Sequence, residues 1–238
     1  MKSAPFLPLT SKDGVTTLDS ADSSTRRIKF ICGLLALGIT WDFSSSLLGA
    51  GWIAASVITV IVLLSYIAYA WRYRDSLLAK YLLFGIAAGF TELLADSWLV
   101  QNTGTLVYIT GGPFIISSPL YMPFAWANVL IYLGCIGYWF SERFGLAIAC
   151  LLTAVIGVIN IPLYEQWAKG ANWWFYQHTP MLGNAPIYII LGEFILALAI
   201  PYLLHWLKKA HWGWCVGLGI IQGLWIWCAY ALAFQVTG

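Results

Sequence analysis

Seven apolar stretches set the problem. They lie near residues 28–49, 52–71, 78–100, 121–140, 145–163, 186–206 and 213–235. Each is close to the ~20 residues that carry a helix across ~30 Å of hydrocarbon. Backbone crossing lipid must satisfy its hydrogen bonds internally, so it forms helices or a closed barrel. A barrel would alternate polar and apolar residues in segments of about ten, and this chain does not. The expectation is an all-α fold: a polytopic integral membrane bundle of seven transmembrane helices. Composition agrees. Of 238 residues, 61% are hydrophobic and 9% charged, against roughly 25% charged in soluble domains. That disfavours a soluble enzyme, a disordered chain, a secreted disulfide scaffold and a nucleic-acid binder together. A net charge of +2 is too small to imply a polyanionic partner.

Residues 1–27 are polar and lack the apolar core and cleavage pattern of a signal peptide. They are expected to be a disordered cytoplasmic tail, with residues 28–238 forming the seven-helix transmembrane domain. Lys and Arg collect on the cytoplasmic side of membranes. With the N-terminus inside, Lys2, Lys12, Arg26, Arg27, Lys29, Arg72, Arg74, Lys80, Arg143, Lys208 and Lys209 are internal, eleven of the twelve, and Lys169 alone is external. The expected topology is therefore N-inside and C-outside, in the endoplasmic reticulum or a bacterial inner membrane. Cys32, Cys135, Cys150, Cys215 and Cys228 sit in apolar runs without C-x-x-C spacing and read as buried small hydrophobes. The two halves are expected to share no internal repeat, which weakens an inverted-repeat transporter.

The acids carry the functional information. Asp13, Asp19, Asp22, Asp75 and Glu142 fall in the tail or inner loops and read as solvated charge. Asp42, Glu92, Asp96 and Glu193 fall inside apolar stretches, and Glu165 follows the outer end of the fifth. At ~1.5 Å per residue all five map to the outer half of the membrane or its outer face. Glu92 and Asp96 stand four apart and share one helix face. A carboxylate in hydrocarbon costs ~2.5 kcal/mol or more, so each should face the bundle interior. No Lys or Arg lies deep enough in the stretches to pair with them; Lys29 and Lys80 stand at inner ends. They are therefore protonated or line a polar cavity. The two long connections, after the third and fifth stretches, are expected to cover it, since long loops in a small protein often act as lids. Trp41, Trp98, Tyr108, Trp126, Trp173, Trp174, Tyr176 and Tyr188 map to the same half. Some suit an interfacial belt; others can line a pocket whose ring faces stabilise a cation.

Other seven-helix chemistries fit poorly. Residues 213–235 contain no lysine for a retinal Schiff base. The three histidines cannot meet at one site, and H-E-x-x-H and G-x-S-x-G are absent. No Asp-rich run offers Mg²⁺ to a diphosphate. The expectation is no metal, no cofactor and a neutral lipophilic substrate. Buried carboxylic acids beside stacked rings suit acid-initiated carbocation chemistry, with Asp42, Glu92, Asp96 and Glu193 as candidates.

The stretch from Glu92 through Gly104-Thr105-Leu106-Val107-Tyr108 to Pro119-Leu120-Tyr121-Met122-Pro123-Phe124-Ala125-Trp126 resembles membrane carotenoid hydratases. Those enzymes have a helix glutamate before a G-x-x-x-Y loop and a P-L-x-x-P-x-A-W helix start. The overall plan is similar to fungal-type membrane-bound terpene cyclases of meroterpenoid pathways. The resemblance implies an isoprenoid-modifying enzyme, a metal-independent terpene cyclase (isomerase or lyase) or hydratase. It makes Glu92 the family glutamate, and Tyr108 and Trp126 the loop and helix aromatics. Two other readings remain open at this point: a proton-coupled transporter, and a non-catalytic membrane assembly factor.

Overall fold

The computed structural model describes the backbone of residues 14–238, and side chains from Asp22 onward. Helices α1 (Gly14–Leu48), α2 (Gly51–Tyr73), α3 (Ser76–Trp98), α4 (Met122–Phe144), α5 (Leu146–Gly170), α6 (Ile187–Lys209) and α7 (Trp212–Thr237) occupy the seven expected stretches. All seven are long and apolar enough to cross a membrane.

Two boundaries differ from expectation. The disordered tail expected over 1–27 is instead helical from residue 14; residues 1–13 lie outside the described residues. The helix extends because its charged turn is anchored. Arg27 is only 7% exposed, and its Nε and Nη2 donate to the two Asp75 oxygens at 2.7 and 3.1 Å. Asp75 also caps α3 by accepting from the Leu78 amide at 3.0 Å. It is thus half of a buried ion pair rather than the solvated charge expected. At the other boundary, α5 continues seven residues past 163, through Pro162, to Gly170. Glu165 therefore lies inside a helix.

Small residues let α3 run at the centre. A Cβ on Gly89 would fall 1.9 Å from the Pro123 carbonyl of α4, and one on Gly223 would fall 2.6 Å from the Ala88 carbonyl. Only glycine permits such backbone approaches, the small-xxx-small device of apolar helix packing.

The long connections hold short strands that an all-α expectation omits. After α3, a π-helical turn (Leu99–Thr103) ends at Gly104, whose φ of +65° reverses the chain. Then follow β1 (Leu106–Tyr108), β2 (Phe114–Ile115) and β3 (Ser118–Pro119). After α5 come β4 (Trp174–Tyr176), β5 (Met181–Leu182) and β6 (Ala185–Pro186).

These two connections are copies of one unit, which overturns the expectation of no internal repeat. In each, a strand ends in tyrosine (Tyr108, Tyr176), and a proline (Pro113, Pro180) opens a two-strand hairpin. The hairpins share their register: Phe114 faces Pro119, and Met181 faces Pro186. Their turns place Ile116 and Gly183 at equivalent positions with φ of +55° and +65°. A second tyrosine (Tyr121, Tyr188) follows each closing proline by two residues. The equivalent strands β1 and β4 then pair with each other, antiparallel, with Tyr108 opposite Trp174. Antiparallel pairing of equivalent strands gives a local twofold relation between the α3–α4 and α5–α6 units. The repeat is faint in the sequence because its signature is proline–tyrosine spacing with a one-residue gap, not matching helix sequences.

Candidate functional site

Beneath the β1–β4 ribbon lies a cavity of about 160 Å³. One water needs ~10–15 Å³ on this kind of measure, so the space suits a chain of atoms. Four carboxyl side chains from four helices line it: Asp42 on α1, Asp96 on α3, Glu165 on α5 and Glu193 on α6. The ribbon contributes Tyr108, Trp174 and Tyr176, α4 contributes Trp126, and α7 contributes Tyr230. No Lys, Arg or His lines it.

Asp96 is the most tightly held acid. Its Oδ2 accepts a hydrogen bond from Ser118 Oγ at 2.7 Å and another from the Tyr108 hydroxyl. No hydroxyl or amide donates to Oδ1 among the described residues, and the Glu92 carboxyl one turn back is close enough to share a hydrogen bond with Asp96. Both holders come from the first connection, so the β1 strand and the β2–β3 hairpin set the orientation of an acid on the preceding helix. Burial holds the Tyr108 hydroxyl well above the ordinary phenol range, and the Asp96 carboxyl beside it adds to the effect. Tyr176 is raised for the same first reason, burial. Both hydroxyls therefore remain proton donors.

The other acids are held once each. Glu193 Oε1 accepts from the Tyr230 hydroxyl at 2.7 Å, and Glu165 Oε2 accepts from Trp174 Nε1 at 2.7 Å. Each keeps a second oxygen without a protein donor among the described residues. Asp42 is half-buried and has no hydrogen bond among the described residues.

Glu92 departs from its expected role. It is fully buried, but it does not line the cavity. It sits one turn behind Asp96, within electrostatic reach of Asp96 and Glu193, and Asp96 is the one side chain close enough to share a hydrogen bond with it among the described residues. The cause is α7. A Cβ on Gly223 would fall 3.1 Å from the Glu92 amide nitrogen, so α7 backbone covers this turn of α3.

Of the eight expected aromatics, Tyr108, Trp126, Trp174 and Tyr176 reach the cavity and four do not. Trp41 Nε1 donates to the Ala54 carbonyl at 3.1 Å and braces α1 against α2. Trp98 meets Phe234 edge-on at 5.6 Å. Trp173 Nε1 donates to the Gly51 carbonyl at 2.9 Å. Tyr188 shares a 2.7 Å hydrogen bond with Thr105 Oγ1. These four hold the scaffold together: Trp41, Trp173 and Tyr188 direct their polar atoms at neighbouring backbone or loops, and Trp98 packs its ring on α7.

The sequence reading missed Glu165, Ser118, Tyr230, Tyr132, Tyr164 and Trp167 as site residues. Glu165 was placed just past a fifth stretch bounded at residue 163, whereas α5 runs to Gly170. Tyr132 and Tyr164 carried no distinguishing signal among many aromatics. Among the described residues no group of three His, Cys, Asp or Glu side chains could hold a metal ion.

Residues 93–237 match the model of the DUF6989 family, a domain of unknown function, and the chain belongs to that family. The matched span contains both repeated units with Asp96, Glu165 and Glu193; Asp42 and Glu92 precede it. No curated protein and no solved structure matches the chain.

Proposed function

We propose that this DUF6989 protein is a multi-pass integral membrane enzyme that modifies an isoprenoid, a terpene cyclase driven by carboxylic-acid protonation, or a hydratase of the same mechanism. The N-terminus lies inside and the ribbon end outside, as the distribution of basic residues favours. One observation carries the reading. An acid with one oxygen held by two hydroxyls faces a ring-lined cavity that has three more carboxyls and no basic group.

The reading requires a proton on Asp96. Asp96 Oδ1 passes that proton to a terminal alkene, forming a C–H bond and leaving a carbocation. With an epoxide, the proton goes to oxygen as the C–O bond breaks. Tyr108 and Ser118 hold Oδ2 and stabilise the carboxylate left behind, the kind of positioned general acid that contributes ~10²–10⁴-fold. The faces of Trp126, Trp174 and Tyr176 lower the energy of the cation, by about 0.5–2 kcal/mol per well-placed ring. A second alkene closes the ring by donating its π pair. Glu193 or Asp42 then removes a proton, so the cyclase reaction is a net isomerisation. In the hydratase version a water adds to the cation and the same carboxylate takes its proton. Glu92 is a positioning residue behind Asp96.

The test uses membranes carrying the protein, with prenylated and epoxidised substrates. Asp96→Asn should lose product formation by roughly 10²–10⁴-fold. Glu193→Gln should lower turnover or redistribute products, and Glu92→Gln should have the smaller effect. Wild-type product formation in both Asp96→Asn and Glu193→Gln would remove the acid assignment.

A further inference from the structure

Helix α1 is pinned at its ends and open in its middle. At one end Arg27 is bound by Asp75. At the ribbon end Ser46 presses on α5, where a Cβ on Gly170 would fall 2.1 Å from Ser46 Oγ. There Asn172 Nδ2 also donates to the Gly49 carbonyl at 3.4 Å, and Phe43 meets Trp167 edge-on at 6.4 Å. Between these anchors one side of α1 is loose: a Cβ built on Gly38 meets nothing within 4 Å, while Trp41 braces α1 against α2.

The cavity reaches this gap. Leu35, Ile39 and Asp42 lie along the edge of α1 that continues to Ser46 and so faces α5. All three line the cavity, as do Asn160 and Tyr164 across the seam on α5. Ile39 is 41% exposed and touches the cavity as well. One side chain on both surfaces marks an opening. The α2 wall is different: its lining residues Ile58, Thr59, Val62 and Tyr66 are all buried.

We infer that a neutral, bilayer-dissolved chain reaches the acids sideways, through the α1–α5 seam below the Ser46–Gly170 contact. The inference rests on the isoprenoid reading above and specifies how that substrate is presented. The reacting end passes Asp42 and meets Asp96. The apolar slot runs about 12 Å back along α1, eight residues from Asp42 to Leu34 at ~1.5 Å each, and the rest of the chain trails into lipid. A polyphosphate head is disfavoured because no basic residue lines the cavity.

The probe is geranylgeraniol bearing a diazirine, added to the full-length protein in phosphatidylcholine vesicles, with photoadducts mapped by mass spectrometry. Adducts are expected on cavity residues of α4 and on the seam residues of α1 and α5. Ile39→Trp should narrow the seam and slow the initial rate of cavity labelling about tenfold, the effect of 1.36 kcal/mol of added barrier. Ile39→Ala should quicken it. Ile61→Trp, on an exposed part of α2 away from the cavity, should leave it unchanged. Cavity labelling that is equally fast in Ile39→Trp and wild type overturns the seam and leaves the isoprenoid reading standing. Labelling confined to lipid-facing residues, with none in the cavity of any variant, overturns both.

Discussion

The Arg27–Asp75 pair offers a test of the fold that needs no substrate. Both side chains are nearly covered, at 8% and 6% exposure. Two hydrogen bonds join them at 2.7 and 3.1 Å. Asp75→Asn keeps an oxygen for the Leu78 cap but removes the charge, so Arg27 is left buried without a counter-ion. Breaking a buried pair this way costs about 3–5 kcal/mol. A kcal/mol moves the melting temperature by about 2–4 °C in a domain of this size, so Asp75→Asn should melt roughly 6–20 °C lower. Asp75→Ala should lose about 1 kcal/mol more, because the cap goes too. The double variant Arg27→Met/Asp75→Leu should recover most of the loss, since an apolar pair needs no desolvation of charge. Glu142→Gln, at an exposed hydrogen bond to Ser24, should stay within about 0.5 kcal/mol of wild type. Thermal unfolding in detergent, followed by far-ultraviolet circular dichroism, reads all four. If Asp75→Asn melts within a degree or two of wild type, the pair does not anchor α1, and the pinned-ends argument for the seam goes with it.

Two further outcomes follow from close contacts. Tyr108→Phe removes one of two hydroxyl donors to Asp96 Oδ2, an interaction of about 1–3 kcal/mol, so turnover should fall roughly 5- to 150-fold. Burial raises the Tyr108 phenol, so it keeps its proton through and above its usual range near pH 10. The alkaline limb of the pH–rate profile should therefore persist in Tyr108→Phe, displaced to higher pH by loss of a donor that stabilises the Asp96 carboxylate, and its disappearance would show that Tyr108 ionises during turnover. Gly89→Ala should destabilise by about 1–3 kcal/mol or more, because the new Cβ meets a backbone oxygen that cannot swing away. Gly33→Ala on α1 meets nothing within 4 Å and should be neutral or stabilising by up to about 1 kcal/mol; equal melting of the two glycine variants would contradict the packing described.

Helix number and placement were legible because a run of ~20 apolar residues has few other uses. The gathering of acids was legible too, since Asp42, Asp96 and Glu193 each interrupt such a run at a similar depth. Rotation about the helix axis was not. Glu92 and Asp96 share a face, yet α7 covers one and leaves the other open, and that depends on Gly223 in a distant segment. Among the tryptophans, Trp173 and Trp174 are adjacent in sequence. The strand alternation sends Trp174 to Glu165 and leaves Trp173 on the Gly51 carbonyl. Density of rings marked the right end of the bundle without saying which rings line the space.

The repeat explains why the site needs both halves. A three-residue strand such as β1 exposes backbone donors and acceptors along its edge, and these require partners wherever water is scarce. β4, its own counterpart, supplies them, and the pairing extends to bonds from Ile109 to Trp173 and from Gln177 to Thr105. Antiparallel register sets Tyr108 across from Trp174, with ring centroids 6.1 Å apart. Each of these rings holds the acid of its own half, Asp96 for the first and Glu165 for the second. Satisfying the strand edges therefore brings two acids, one from each half, to one ribbon over one cavity. A single copy of the unit would leave its strand unpaired and its acid alone, so the backbone hydrogen bonds that close this end of the bundle also assemble the carboxyl pair.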